Sequence, residues 1–293
     1  ASPSTAVTTR YTIDVDVHPD VASVAVKHAL QLPRFLHHYP ISSHTQAAYR
    51  HAVDFVLAFH RSPQEQQQRS PWPVVLDSGC GTGRSSVLLA RSYPHLPVIG
   101  IDRSAVRLSK GGGDAGKRKG NHDNRLREPL PENLLLLRAD LVDLWILASR
   151  ENAWEIKEHY ILYPNPYPKR SQLRSRWHGH SVFPVLLSLG GVITLRSNWR
   201  TYLDEVCQAV LAINGAAQTT EGEGDSAADE GGVGDLESKR TSSGGKDAAS
   251  YAASARAAPL TFVPAVPAAT NFEAKYVAVG ETVYELRLEP KLS

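Results

Sequence analysis

Methionine is absent from all 293 residues, and cysteine occurs only twice, at Cys80 and Cys207. Two thiols that far apart, one of them inside a glycine turn, offer neither a disulfide framework nor metal-ligand spacing, and they suit a reducing compartment. The missing methionine, initiator included, points to a processed or trimmed chain. The expected location is the cytoplasm, with an organelle open if a targeting segment has been removed. No apolar run approaches the length of a membrane span, and the first thirty residues lack the apolar core of a secretory signal, so no membrane partner is expected. An excess of one charge is lacking too: 32 Lys and Arg against 30 Asp and Glu leave a formal +2. Attraction to nucleic acid must therefore come from local clusters. His37, His38, His44, His51 and His60 lie on different faces with no Cys or carboxylate beside them, and no metal site is expected from them.

What is present is one stretch of strong pattern, Val74 to Asp102. Val74, Val75 and Leu76 form a short apolar run closed by Asp77. Gly79, Gly81 and Gly83 then let the backbone turn sharply and approach a ligand without Cβ clashes. A helix is predicted over Arg84 to Ser92, then a second strand over Val98 to Ile101 that ends in Asp102. A nicotinamide-binding turn would need glycine at position 84, where this chain has Arg84. The G-x-G-x-G form, with an acid two residues before the first glycine, is the pattern of class I S-adenosylmethionine methyltransferases. Asp102 is placed to reach ribose hydroxyls, with Arg103 beside it.

The rest of the chain organises around that stretch. Residues 1–71 are expected to be an extension carrying a helix over Ser42 to His60 and a linker, and 72–213 the core. Tyr11 to Val17 alternates like a short strand. A basic, glycine-rich segment after Lys110 contains Lys117, Arg118 and Lys119, which could meet an RNA backbone or simply be solvated. Leu134 to Leu137 reads as a central parallel strand, placing Asp140 and the backbone at Leu141 near an adenine. Asn214 to Ala258 collapses to Gly, Ala, Ser, Asp and Glu, and disorder is expected there. Phe272 to Val279 and Thr282 to Leu288 read as an antiparallel pair that completes the sheet.

His159 to Tyr163 is predicted as the fourth strand, delivering the loop Tyr163-Pro164-Asn165-Pro166-Tyr167-Pro168-Lys169. Three alternating prolines hold it extended and present Asn165 rigidly. Lys169, Arg170, Arg174 and Arg176, with Trp177 and His178 interleaved, have the composition that holds a nucleic-acid backbone and an unstacked base.

Taken in order, LDSGCGTG, GID, LLLLRADL, YPNPYPK with its trailing basic residues, LGGVITLRSNWRTYLDE and TNFEAKY resemble the tRNA (guanine-N7)-methyltransferase family. The resemblance covers roughly Trp72 to Asn214 and Pro259 to Glu289. It implies a Rossmann-like α/β fold with a seven-stranded, mostly parallel sheet and S-adenosyl-L-methionine as cofactor. The partners it implies are tRNA and, in some arrangements, an accessory subunit. By the same resemblance, Asp77, Gly79, Gly81, Asp102 and Asp140 would contact the cofactor. Asn165, Tyr167, Lys169, Arg170, Thr270 and Glu273 would lie around the target base. The family usually carries an acid where this chain has Asn165, tryptophan at Tyr167 and glutamate at Asp77. Guanine N7 is a bare lone pair, so its methylation needs alignment rather than a general base, and Asn165 can still orient the base. Asn165-Pro166-Tyr167 is also one proline short of the N-P-P-Y loop of exocyclic-amine methyltransferases. A small-molecule or protein substrate and a non-catalytic RNA-binding role complete the alternatives.

Overall fold

Three helices precede the sheet in this computed structural model, which describes residues 16–60, 71–111, 129–222, 258–259 and 269–290. They are α1 (Val21–Leu30), α2 (Leu32–His38) and α3 (Ser43–Phe59). Ser42 caps α3 by accepting the Thr45 N–H, as its side-chain chemistry favours. The apolar run then becomes β1 (Trp72–Ser78), followed by α4 (Arg84–Ser92), β2 (Val98–Asp102) and α5 (Ala105–Gly111). After residue 128 come β3 (Leu134–Arg138), α6 (Leu141–Glu151), β4 (Trp154–Leu162), α7 (Phe183–Ser188), β5 (Val192–Ser197) and α8 (Arg200–Gly222). The final elements are β6 (Ala258–Pro259), α9 (Asn271–Ala278) and β7 (Tyr284–Leu288).

The strands form one sheet in the order β3-β2-β1-β4-β5-β7-β6. Strands β1 to β5 pair in parallel, while β7 runs antiparallel to both β5 and β6. Because β6 is a two-residue bridge, six strands have ordinary length. Val74 and Leu76 bury into one core and Val75 into the other. Strands covered by helices on both faces read as unbroken apolar runs, which is why β1, β2 and β3 were visible in the sequence. Helices α4 and α5 cover the smaller core, and α1, α3, α6, α7 and α8 the larger. The strand order reverses between β1 and β4, and in open α/β sheets the crevice at such a switch point is where ligands bind.

Two expectations are corrected. Phe272 to Val279 does not form a strand: Thr270 caps α9 through the Glu273 N–H, so β7 pairs with β5 and the short β6 instead. Helix α8 also continues past Asn214 to Gly222. The strand expected over Tyr11 to Val17 falls largely outside the described residues, and Lys117, Arg118 and Lys119 fall outside them entirely.

Candidate active site

Gly79, Gly81 and Gly83 all adopt left-handed backbone, with φ of 82, 62 and 80°. A Cβ at Gly79 or Gly81 would meet nothing within 4 Å, so the turn faces open space, whereas at Gly83 it would sit 2.7 Å from Leu136. The first two glycines therefore shape a cradle, and the third lets α4 pack on β3. The turn is stitched to the end of β2. Gly79 and Cys80 donate to the Ile101 carbonyl at 2.8 and 2.9 Å, and Gly81 N–H donates to Asp102 Oδ2 at 3.0 Å.

Asp102 is 2% exposed. Its other oxygen, Oδ1, accepts the Ser104 N–H at 2.7 Å and Arg107 Nη2 at 3.0 Å. The carboxylate lies on the wall of a cleft of about 360 Å³, a size that lies within the usual ligand range. Gly79, Asp140, Leu141, Tyr163, Asn165 and Tyr167 share that wall, and Arg103 and Arg107 stand at the Asp102 side. Arg107 has no signature in the sequence, since one arginine in a short helix carries no signal until the fold brings it onto Asp102.

Asp140 is the N-cap of α6, its Oδ1 accepting from Val142 and Asp143 at 2.9 and 3.4 Å. Its own N–H donates to Thr45 Oγ1 at 3.3 Å, and Ser42 Oγ donates to Asp143 Oδ2 at 2.7 Å. The cap of α3 is thus fastened to the start of α6, a buttress built from the N-terminal extension that sequence patterns did not disclose.

Asp77 is placed differently from expectation. It is 1% exposed and sits behind the turn, not on the cleft wall. Its Oδ2 accepts from Ser85 and Ser86 at 2.7 and 2.6 Å, which ties β1 to the start of α4. Oδ1 has no hydrogen-bond partner among the described residues. Burial raises its pKa to about 6 against the pull of the two serine hydroxyls, and the nearby Asp102 charge adds to the rise.

The loop after β4 is held in an uncommon shape. Tyr163 and Tyr167, at its two ends, have φ of 54 and 45°. Left-handed backbone at a residue with a bulky side chain costs about 1–3 kcal/mol and persists only where the surroundings impose it. At one end, Tyr163 N–H donates to the Arg196 carbonyl and its hydroxyl to Glu273 Oε1, both at 2.9 Å. At the other end, Arg176 Nε and Nη2 donate to the Tyr167 carbonyl at 3.2 and 3.1 Å. Asn165, exposed at the tip, accepts the Tyr167 N–H on Oδ1 at 3.3 Å. The rigidity expected from prolines therefore comes equally from these clamps.

Arg176 is 1% exposed, which removes it from the proposed nucleic-acid contacts. It pairs with Glu205 at 2.5 Å, and Glu205 also takes His178 Nε2 at 2.9 Å and the His18 N–H at 3.0 Å. Burial pushes Glu205 up, but His178, Arg176 and the His18 amide outweigh it and hold the carboxyl low. Burial dominates at His178 and lowers it. Lys169, Arg170 and Arg174 do lie exposed beside the loop.

Thr270 and Glu273 are not free to face a base in this arrangement. Thr270 Oγ1 accepts the Glu273 N–H at 3.0 Å as the cap of α9. Glu273 is 1% exposed and accepts from Tyr163, Arg196 and the Ala269 N–H. Its influence on the loop runs through the Tyr163 hydroxyl.

A sheet in this order, an open glycine cradle after β1 and acids at the tips of the next strands together define a class I methyltransferase. The cleft lining fits S-adenosyl-L-methionine: Asp102 would offer a carboxylate to ribose hydroxyls, Leu141 a backbone edge to an adenine, and Gly79 unhindered backbone. The chain belongs to the family described as "Putative methyltransferase", whose model matches residues 71–239, more than half its length. Its cofactor is S-adenosyl-L-methionine.

Among its relatives is the tRNA (guanine-N(7)-)-methyltransferase of Neisseria gonorrhoeae (strain NCCP11945). It is 24% identical over 187 residues, which is 60% of this chain and 73% of that protein. The enzyme of the same name from Porphyromonas gingivalis is 28% identical over 146 residues, 49% of this chain and 53% of that protein. Among solved structures, the aminoglycoside resistance methyltransferase NpmB1 is similar with a TM-score of 0.40 and 14% identity. That match covers 86% of this chain and 95% of NpmB1.

Proposed function

We propose that this chain transfers a methyl group to guanine N7 in tRNA. The observation that carries the reading is the state of Asn165, at the rim of the cleft that the glycine turn opens into. Its amide oxygen is turned onto the Tyr167 N–H, which leaves the Nδ2 hydrogens for a ligand. The major-groove edge of guanine presents only acceptors, O6 and N7. Asn165 Nδ2 would therefore donate to O6 and hold N7 in line, while an exocyclic amine would have to share the amide oxygen with the Tyr167 N–H.

S-adenosyl-L-methionine, when bound, supplies an electrophilic methyl group. Asp102 and the Leu141 backbone would hold its nucleoside, and the clamped Tyr163 and Tyr167 fix where Asn165 meets the base. No side chain needs to remove a proton, because the N7 lone pair is free. The contribution of the site is alignment and a polar wall for the charge that develops on the purine. Lys169, Arg170 and Arg174, exposed beside the loop, supply cations for the phosphate backbone. The names of the relatives from Neisseria and Porphyromonas support the same substrate.

The test is incubation with methyl-labelled S-adenosylmethionine and total tRNA, followed by nucleoside mass spectrometry. Label in 7-methylguanosine is expected. Label in a methylated exocyclic amine, or none, would refute the proposal.

A further inference from the structure

Phe272, in the first turn of α9, is 56% exposed, an unusual position for a phenylalanine so close to a cleft. Its ring lies over Tyr163 with centroids 6.3 Å apart and planes 28° apart, and the Tyr276 ring lies 5.8 Å from the same tyrosine. Tyr163 is itself a wall of the cleft, fixed at its backbone by the Arg196 carbonyl and at its hydroxyl by the buried Glu273. Phe272 thus lies against a cleft-wall residue whose own position is fixed.

Two cations frame it. Arg84 Nη1 donates to Asn271 Oδ1 at 3.3 Å, directly before the phenylalanine, and Lys275 is exposed one turn later. An open ring backed by a fixed second ring and flanked by positive charge is how proteins hold an unpaired base. The ring face takes the base whatever its identity, and the cations meet its phosphates. Val277 and Val279, at the far end of the helix, are exposed as well, but the arginine and lysine beside the ring favour a phosphate-bearing ligand over an apolar peptide.

We infer that Phe272 is a stacking platform for an unpaired nucleobase of the RNA substrate, with Tyr163 as its second layer. The inference rests on the RNA reading above and adds a binding residue that neither the glycine turn nor the basic turn contains. Phe272→Ala and Phe272→Trp would be compared with the wild type for tRNA affinity, KM and kcat of methyl transfer, and S-adenosylmethionine affinity by calorimetry. The alanine variant is expected to lose about 5- to 150-fold in tRNA affinity or KM, the range of one base–aromatic stack. Tryptophan should restore it, and cofactor affinity should stay unchanged in both. Unaltered tRNA affinity and KM in the alanine variant would overturn the inference, as would a parallel loss of cofactor affinity and thermal stability. If the wild type binds tRNA through Phe272 but methylates nothing, the platform stands and the proposed reaction falls. If the wild type binds no RNA, both fall.

Discussion

Asp102 and Asp77 show how two buried acids, each at the end of a strand, take different work from their surroundings. Asp102 accepts from Gly81, Ser104 and Arg107 while lining the cleft, so its charge both shapes the turn and faces the cleft. Asp102→Asn turns one acceptor into a donor against those groups. Calorimetric titration should show S-adenosylmethionine affinity at least tenfold weaker, given about 1.5–3 kcal/mol for a hydrogen bond to a charged group. Unchanged affinity would remove Asp102 from the cofactor site. Asp77 makes a pH prediction. Its carboxyl is raised from 3.8 to about 6 in the fold, so between those values the folded chain holds the proton that the unfolded chain has released. Stability should therefore fall as pH rises from about 4 to about 6, by roughly 2–3 kcal/mol from this group. Asp77→Asn keeps an acceptor for Ser85 and Ser86 and should flatten that part of the curve. Melting temperatures of the two proteins across this window, without cofactor, decide it, and parallel curves would refute it.

At the scale of elements, the loop between Tyr163 and Lys169 depends on partners from distant segments. Arg176 reaches the Tyr167 carbonyl only because Glu205 on α8 neutralises it in a site 1% exposed. Glu205→Gln should cost about 3–5 kcal/mol in urea unfolding, since it strands a buried guanidinium. A double Arg176→Leu, Glu205→Leu variant should recover much of that stability, yet leave the Tyr167 carbonyl unclamped and kcat depressed. Recovery of both would show that the clamp has no positioning role. Here the limits of sequence reading are visible. Strands β1 to β3 and the glycine turn announce themselves because unbroken apolar runs and closely spaced glycines have few other uses. Arg176 could not be told from Lys169 or Arg174, because only the fold brings Glu205 to it. Helix α9 resembles a strand in sequence although Thr270 and Glu273 stand at capping-box spacing. The alternating residues of FEAKYVAV imitate a strand, and the cap decided otherwise.

For the whole molecule, a formal charge of +2 gives no bulk attraction to RNA, so the proposed tRNA binding must run through local cations. Affinity for tRNA should fall steeply between 50 and 200 mM salt, and Lys169→Ala or Arg174→Ala should each reduce the logarithmic slope by about 1. A salt-independent affinity would place recognition elsewhere. Residues 16–60 belong to this same body rather than hanging from it. His18 meets Glu205, and Ser42 and Thr45 meet the start of α6, so cleft wall and loop share supports with the N-terminal helices.

Glycine in place of Tyr167 would relax a backbone that L-residues resist by about 1–2 kcal/mol. Laboratory evolution for heat resistance alone should drift that codon toward glycine, and turnover should decline as it does.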